Sequence, residues 1–116
     1  MVLLNKSDSE ILKIAELIWD DVVEAGNTKN WDLFSKHMPA SDVTDEAKKD
    51  VESQWEEIPL LTSLSPNREF ISILRRGGSV LVLWKQCSTK VDGEYLAMLN
   101  LKCLDSEVKA CGIFVN

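Results

Sequence analysis

The chain has 116 residues, and 45% of them are hydrophobic, enough to fill one core of ordinary domain size. A formal charge of −6 argues against nucleic acid or an anionic membrane surface as partner. The charge is uneven: six lysines face fourteen carboxylates before residue 67, and seven bases face five carboxylates after it, so the acid sits on the N-terminal half.

The start, Met1-Val2-Leu3-Leu4, is too short an apolar run for a signal-peptide core, and no later stretch approaches the ~18 residues of a membrane span. Cys87, Cys103 and Cys111 lack CxxC spacing and are odd in number, as expected of small hydrophobes in a reducing compartment. The expected location is the cytoplasm. The expected organisation is one domain over residues 1–116.

Ser7-Asp8-Ser9-Glu10 has the spacing of a capping box, and a helix follows from about Asp8 to Ala25. At ~100° per residue, Ile11, Ile14, Ala15, Ile18, Val22 and Ala25 fall on one side, widened by Leu12, Trp19 and Val23. Glu16, Asp20 and Glu24 take the opposite side, with Asp21 on the boundary. Gly26-Asn27 is the expected stop.

A second, short helix covers Asn30 to Met38 and ends before Pro39; Trp31, Phe34 and Met38 share its face. Ser41 and Thr44 are alternative caps for a third helix, which Pro59 ends. Its stripe of Val43, Ala47, Val51 and Trp55 is narrow, so one edge packs. Leu60 to Asn67 is a connector, with Pro66-Asn67 turning the chain.

Four strands are expected at Arg68–Arg76, Ser79–Thr89, Glu94–Leu104 and Glu107–Val115. Gly77-Gly78 and Asp92-Gly93 supply φ > 0 for two-residue turns, and Asp105-Ser106 is a weaker third turn. With those turns, parity puts Ile71, Ile73, Val80, Val82, Trp84, Gln86, Tyr95, Ala97, Leu99, Leu101, Cys103, Val108, Ala110, Gly112 and Phe114 on a face that must be covered. The other face holds Phe70, Leu74, Leu81, Leu83, Leu96, Met98, Cys111 and Ile113, interrupted by Ser72, Lys85, Asn100, Lys102 and Lys109. The expected fold is α+β, with three N-terminal helices packed on one face of a four-stranded antiparallel meander. The uncovered face, rich in leucine, predicts a homodimer.

The order of a long helix, a short Asn-Trp-Asp helix, an acidic helix ending in Gln54-Trp55, then Arg68-Glu69-Phe70 and hairpins, with Gly93-Glu94 and Gly112, resembles the nuclear transport factor 2-like superfamily. It is similar in particular to small bacterial domains of unknown function. The resemblance spans nearly the whole chain and implies a cone-shaped roll, the cystatin-like α+β fold of ketosteroid isomerase-like and polyketide-cyclase-like proteins. The chain departs from the larger members in lacking a hairpin between its second and third helices, which thins one wall of the cone. Members share a fold and scarcely a chemistry, so function must be read from the site.

His37 is the only histidine, and Asp32, five residues earlier, is poorly spaced to orient it. Asp21 and Tyr95 would make an acid–base pair if both reached the cavity. No spacing suits zinc, and no glycine pattern suits a dinucleotide or phosphate, so no metal and no cofactor is expected. Trp19 and Trp84 fit either the lining of an apolar pocket or a packed core, and Gly112 opposite Trp84 leaves space for the former. In the pocket reading, Trp19, Asp21, Trp84, Gln86, Tyr95 and Gly112 bind a small apolar ligand without catalysis. The alternatives are an isomerase-, dehydratase- or cyclase-type enzyme and a protein–protein interaction module.

Overall fold

The computed structural model describes residues 5–116, so the reading of Met1 to Leu4 lies outside the described residues. Helix α1 spans Asp8–Thr28, α2 Trp31–Ser35 and α3 Asp45–Glu57. A four-stranded antiparallel sheet follows, with β1 Leu64–Arg75, β2 Val80–Ser88, β3 Glu94–Leu104 and β4 Glu107–Val115 in the order β1-β2-β3-β4. The protein is α+β, with its helices before its meander.

Helix α1 begins in a capping box. Glu10 N–H donates to Ser7 Oγ at 3.2 Å, and Ser7 N–H donates to Glu10 Oε1 at 3.1 Å. Donation to its carboxylate, first from the Ser7 backbone N–H and then from the Ser7 hydroxyl at 3.0 Å, holds Glu10 below its ordinary range. The helix runs past Gly26-Asn27, which does not stop it. Lys29, at φ 54°, is the left-handed residue beyond its end. Gly26 instead permits close approach, because a Cβ there would lie 2.4 Å from the Leu61 carbonyl oxygen. Asn27 reaches across as well, its amide accepting from Leu64 N–H at 3.0 Å and donating to Leu64 C=O at 2.9 Å. That one side chain ties the end of α1 to the start of the sheet.

The inner row of the sheet follows the alternation expected for β2 and β3. Val80, Val82, Trp84 and Gln86 are buried, as are Ala97, Leu99 and Leu101, and they share a core with Ile11, Ala15, Ile18, Trp19, Val22 and Val23 of α1. Each large side chain buried there stabilises the fold by roughly 1.5–3 kcal/mol. Lys85 points the other way and bridges Glu94 at 2.9 Å and Glu69 at 3.1 Å. Donation to these two carboxylates, to Glu94 first, holds its ammonium pKa well above the ordinary lysine range.

The pairing and the turns differ from expectation at several points. The β2–β3 connection is not a two-residue turn: Cys87 pairs with Glu94, so every partner is displaced by an even number and no side chain changes face. Gly77 and Gly78 close their hairpin without positive φ, whereas Asp105 (φ 50°) and Ser106 (φ 67°) adopt the left-handed turn. Two bulges matter more. Phe70 pairs with Trp84 and Ser72 with Leu83, leaving Ile71 as an extra residue, 52% exposed rather than covered.

In β4, Ala110 pairs with Leu101 and Gly112 with Asn100, leaving Cys111 extra. Beyond that bulge the facing inverts. Ile113 and Val115 pair with Leu99 and Ala97 and pack on the core, while Gly112 and Phe114 pair with Asn100 and Met98 on the outer face. Gly112 therefore does not sit opposite Trp84.

Candidate functional site

Of the six residues expected to line a pocket, Trp19, Trp84 and Gln86 meet and close it. Their indole centroids are 5.2 Å apart at 31°, which leaves no ligand-sized space, and all three side chains are fully buried. Trp19 Nε1–H donates to Gln86 Oε1 at 3.0 Å, and Gln86 Nε2 donates to the carbonyls of Ser65 at 2.7 Å and Cys87 at 2.9 Å. Every polar atom of the Gln86 amide is occupied inside the fold. Trp84 Nε1–H is buried with no partner among the described residues.

Over the Trp84 ring lies Arg68, its guanidinium carbon 5.6 Å from the centroid and its side chain only 5% exposed. Arg68 donates to Glu16 Oε1 at 2.9 Å, Asp20 Oδ1 at 2.8 Å and the Glu16 carbonyl at 3.2 Å. This clamp fastens β1 to α1. Its signal in the sequence was the i, i+4 pair Glu16 and Asp20, which presents two carboxylates on one helix face to a single cation.

The remaining expected residues lie apart. Asp21 Oδ2 is 2.7 Å from His37 Nε2 and 3.6 Å from Lys36 Nζ, joining α1 to the segment after α2. The histidine thus takes its orienting carboxylate from Asp21 and not from Asp32. Tyr95 donates its hydroxyl to the Asp92 carbonyl beside Gly93, so the Asp21–Tyr95 pair does not form. Gly112 borders a different feature, a groove that none of the other five residues lines.

That groove, of about 200 Å³, lies between α2, α3 and the free edge of β4. Phe34, Met38, Val51, Trp55, Leu61 and Ile113 supply apolar walls, and Asp42, Gln54 and Cys111 the polar points. Phe34 and Trp55 meet edge to face with centroids 5.6 Å apart, which holds the two helices together above it. Burial pushes the Cys111 thiol up, against a smaller opposing effect from Lys102, while the Asp42 carboxylate adds to the rise.

On the outer face of the sheet, cross-strand partners form rows. Ser72, Leu83, Met98 and Phe114 make one; Leu74, Leu81, Asn100 and Gly112 make the next; Lys85 and Leu96 begin a third. Leu74, Leu96 and Phe114 are exposed, and the Phe114 ring lies over Gly112, where a Cβ would come within 3.0 Å of it. Of the apolar set expected here, Phe70, Cys111 and Ile113 leave the paired rows at the bulges and Phe114 is gained.

Among the described residues no cluster of His, Cys, Asp or Glu is arranged to hold a metal ion, and no helix is long and apolar enough to cross a membrane. No family model matches the chain, and neither a curated protein nor a solved structure matches it.

Proposed function

We propose that this chain is a non-catalytic interaction domain of the nuclear transport factor 2-like type that works as a homodimer through the outer face of its sheet. In this reading the three helices cover the inner face of a cone-shaped roll whose interior is filled, residues 1–116 form one domain, and the protein acts in the cytoplasm. The observation that carries it is the apolar row Leu83, Met98 and Phe114, flanked by Leu74, Leu81 and Leu96, on the face opposite α1.

Four strands at ~4.8 Å spacing and ~30 Å of strand length give roughly 600 Å² of flat face, close to the ~800 Å² per partner of a standard interface. A two-fold axis through the row would set the same leucines and Phe114 against themselves. The closed contact of Trp19 with Trp84 supports interaction over an interior ligand, and the separate engagements of Asp21 and Tyr95 support it over isomerase-type chemistry.

Sedimentation tests the reading. The native chain is expected at twice its 13.1 kDa mass at micromolar concentration, and Leu83→Lys with Phe114→Glu at 13.1 kDa with an unchanged circular dichroism spectrum. A native chain that sediments as a monomer would overturn it.

A further inference from the structure

The groove beside β4 is a second surface that shares only Gly112 with the rows of the outer sheet face, and its walls include backbone. Leu96 and Asn116 exchange both of their backbone hydrogen bonds, N–H to O distances being 2.8 and 3.0 Å. Antiparallel pairs alternate between bonded and non-bonded, so Phe114 and Gly112 also turn their backbone groups toward β3. Ile113 and Val115 therefore turn theirs away from it, along the groove they line. One stretch of this edge is already used in that way: Ala110 N–H donates outward to the His37 carbonyl at 2.7 Å. The chain's own backbone docks on β4 there and then leaves it.

Beyond Ala110 the edge carries no proline, and the groove walls include Phe34, Val51 and Trp55. A volume of about 200 Å³ suits one aromatic or large aliphatic side chain, since a cavity of ~150 Å³ accommodates benzene. The charge around the groove is mainly acidic, with Lys102 the cation that acts on the lining Cys111. Asp42 lines the groove, Asp50 holds the lining Gln54 amide at 3.2 Å, and α3 carries six carboxylates against two lysines.

We propose that an extended basic segment of a partner protein adds to β4 as a fifth strand, bonding to the backbone of Ile113 and Val115, seating one large apolar side chain against Phe34, Val51 and Trp55, and carrying its cations toward Asp42 and Asp50. Main-chain bonds supply affinity in this mode, and the pocket and the charges supply selectivity. The surface meets the proposed dimer face only at Gly112, and the residues that would hold the peptide, Phe34, Val51, Trp55, Ile113 and Val115, lie outside that face, so the two readings are tested separately.

The test is an amide chemical-shift titration of the Leu83→Lys, Phe114→Glu chain, and of the native chain, with the blocked peptide Lys-Val-Lys-Phe-Lys-Val-Lys. The largest shifts and slowed hydrogen exchange are expected at Ile113 and Val115 in both chains. The glutamate analogue Glu-Val-Glu-Phe-Glu-Val-Glu should bind about tenfold more weakly, and the Asp42→Lys, Asp50→Lys chain should reverse that preference. Methylating alternate peptide nitrogens should abolish the exchange protection. Equal binding of both peptides, survival of binding after methylation, shifts centred on Leu83 and Met98, or no response at millimolar peptide would each overturn the proposal. So would saturation of the groove by indole when the lysine peptide leaves it empty.

Discussion

Trp19 gives its indole N–H to Gln86 at 3.0 Å, whereas the indole of Trp84, tilted against it with centroids 5.2 Å apart, gives its own to nothing among the described residues. The two tryptophans are equally buried and differ in what their removal costs. Trp19→Phe strands Gln86 Oε1, while Trp84→Phe removes a donor that was already unpaired. Both lose volume, so the difference isolates the hydrogen bond. Urea unfolding should find Trp19→Phe less stable than Trp84→Phe by about 1–3 kcal/mol, less the ~0.5–1 kcal/mol by which Arg68 prefers an indole face. Gln86→Leu should cost roughly 2–5 kcal/mol, because it leaves an indole N–H and two carbonyls unsatisfied.

Gly26 and Gly77 separate two uses of glycine. In a helix interior alanine is favoured over glycine by about 1 kcal/mol, but at position 26 its Cβ would meet a backbone oxygen at 2.4 Å that no rotamer can move. Gly26→Ala should therefore lower stability, the overpacking of about 1–3 kcal/mol outweighing the propensity gain. Nothing lies within 4 Å of a Cβ at Gly77, and Gly77→Ala should be neutral within about 0.5 kcal/mol. Thermal melts of the two variants check the contrast.

Ser106 holds φ 67° at the tip of the β3–β4 hairpin, where a side chain costs about 1–2 kcal/mol and glycine nothing. Ser106→Gly makes the turn Asp-Gly, the preferred pair for this geometry. After the extra unfolded-state entropy of glycine, a gain of about 0.5–1 kcal/mol should remain in urea denaturation.

The thiols should react in a fixed order. Cys87 is exposed, whereas burial keeps the Cys111 thiol protonated above the ordinary cysteine range, so neutral solution holds less of its thiolate. Iodoacetamide at neutral pH should modify Cys87 first, and Cys111 should lag until the pH rises beyond the usual thiol range. Peptide mass mapping over time reads the order, and equal rates at neutral pH would contradict it.

Much of the element order was legible from punctuation: Ser7 and Thr44 start helices, Pro59 follows the end of α3 and glycines separate the first three strands, whereas α2 ends at Ser35, short of the Pro39 expected to stop it. Facing was legible wherever alternation was strict, as in Val80 to Gln86 and Ala97 to Leu101, and the even displacement of the β2–β3 partners did no harm to it. It failed at the bulges for a physical reason. Ala110-Cys111-Gly112-Ile113-Phe114-Val115 is apolar at every position, and Phe70-Ile71-Ser72-Ile73-Leu74 nearly so, so neither phase of the alternation is penalised and parity has nothing to hold it. The error placed Gly112 in an imagined cavity and hid the groove that it does border. Contacts between distant elements, such as Asp21 with His37 or Asn27 with Leu64, depend on helix placement that no local pattern encodes.

The bulge at Cys111 also marks where this chain can change length. A chain lacking Cys111 would run from Ala110 directly to Gly112, and every residue on both sides would keep its partner and its face, since the missing residue has no partner to lose. The same holds for Ile71 between Phe70 and Ser72. Within the regularly paired stretches of the sheet a one-residue deletion would turn an apolar row outward. Relatives of this chain that differ by one residue in the first or last strand are therefore best aligned by opening the gap at these irregular positions or in the unpaired stretch between Leu64 and Arg68, since a gap within a regularly paired stretch would set core residues against surface ones.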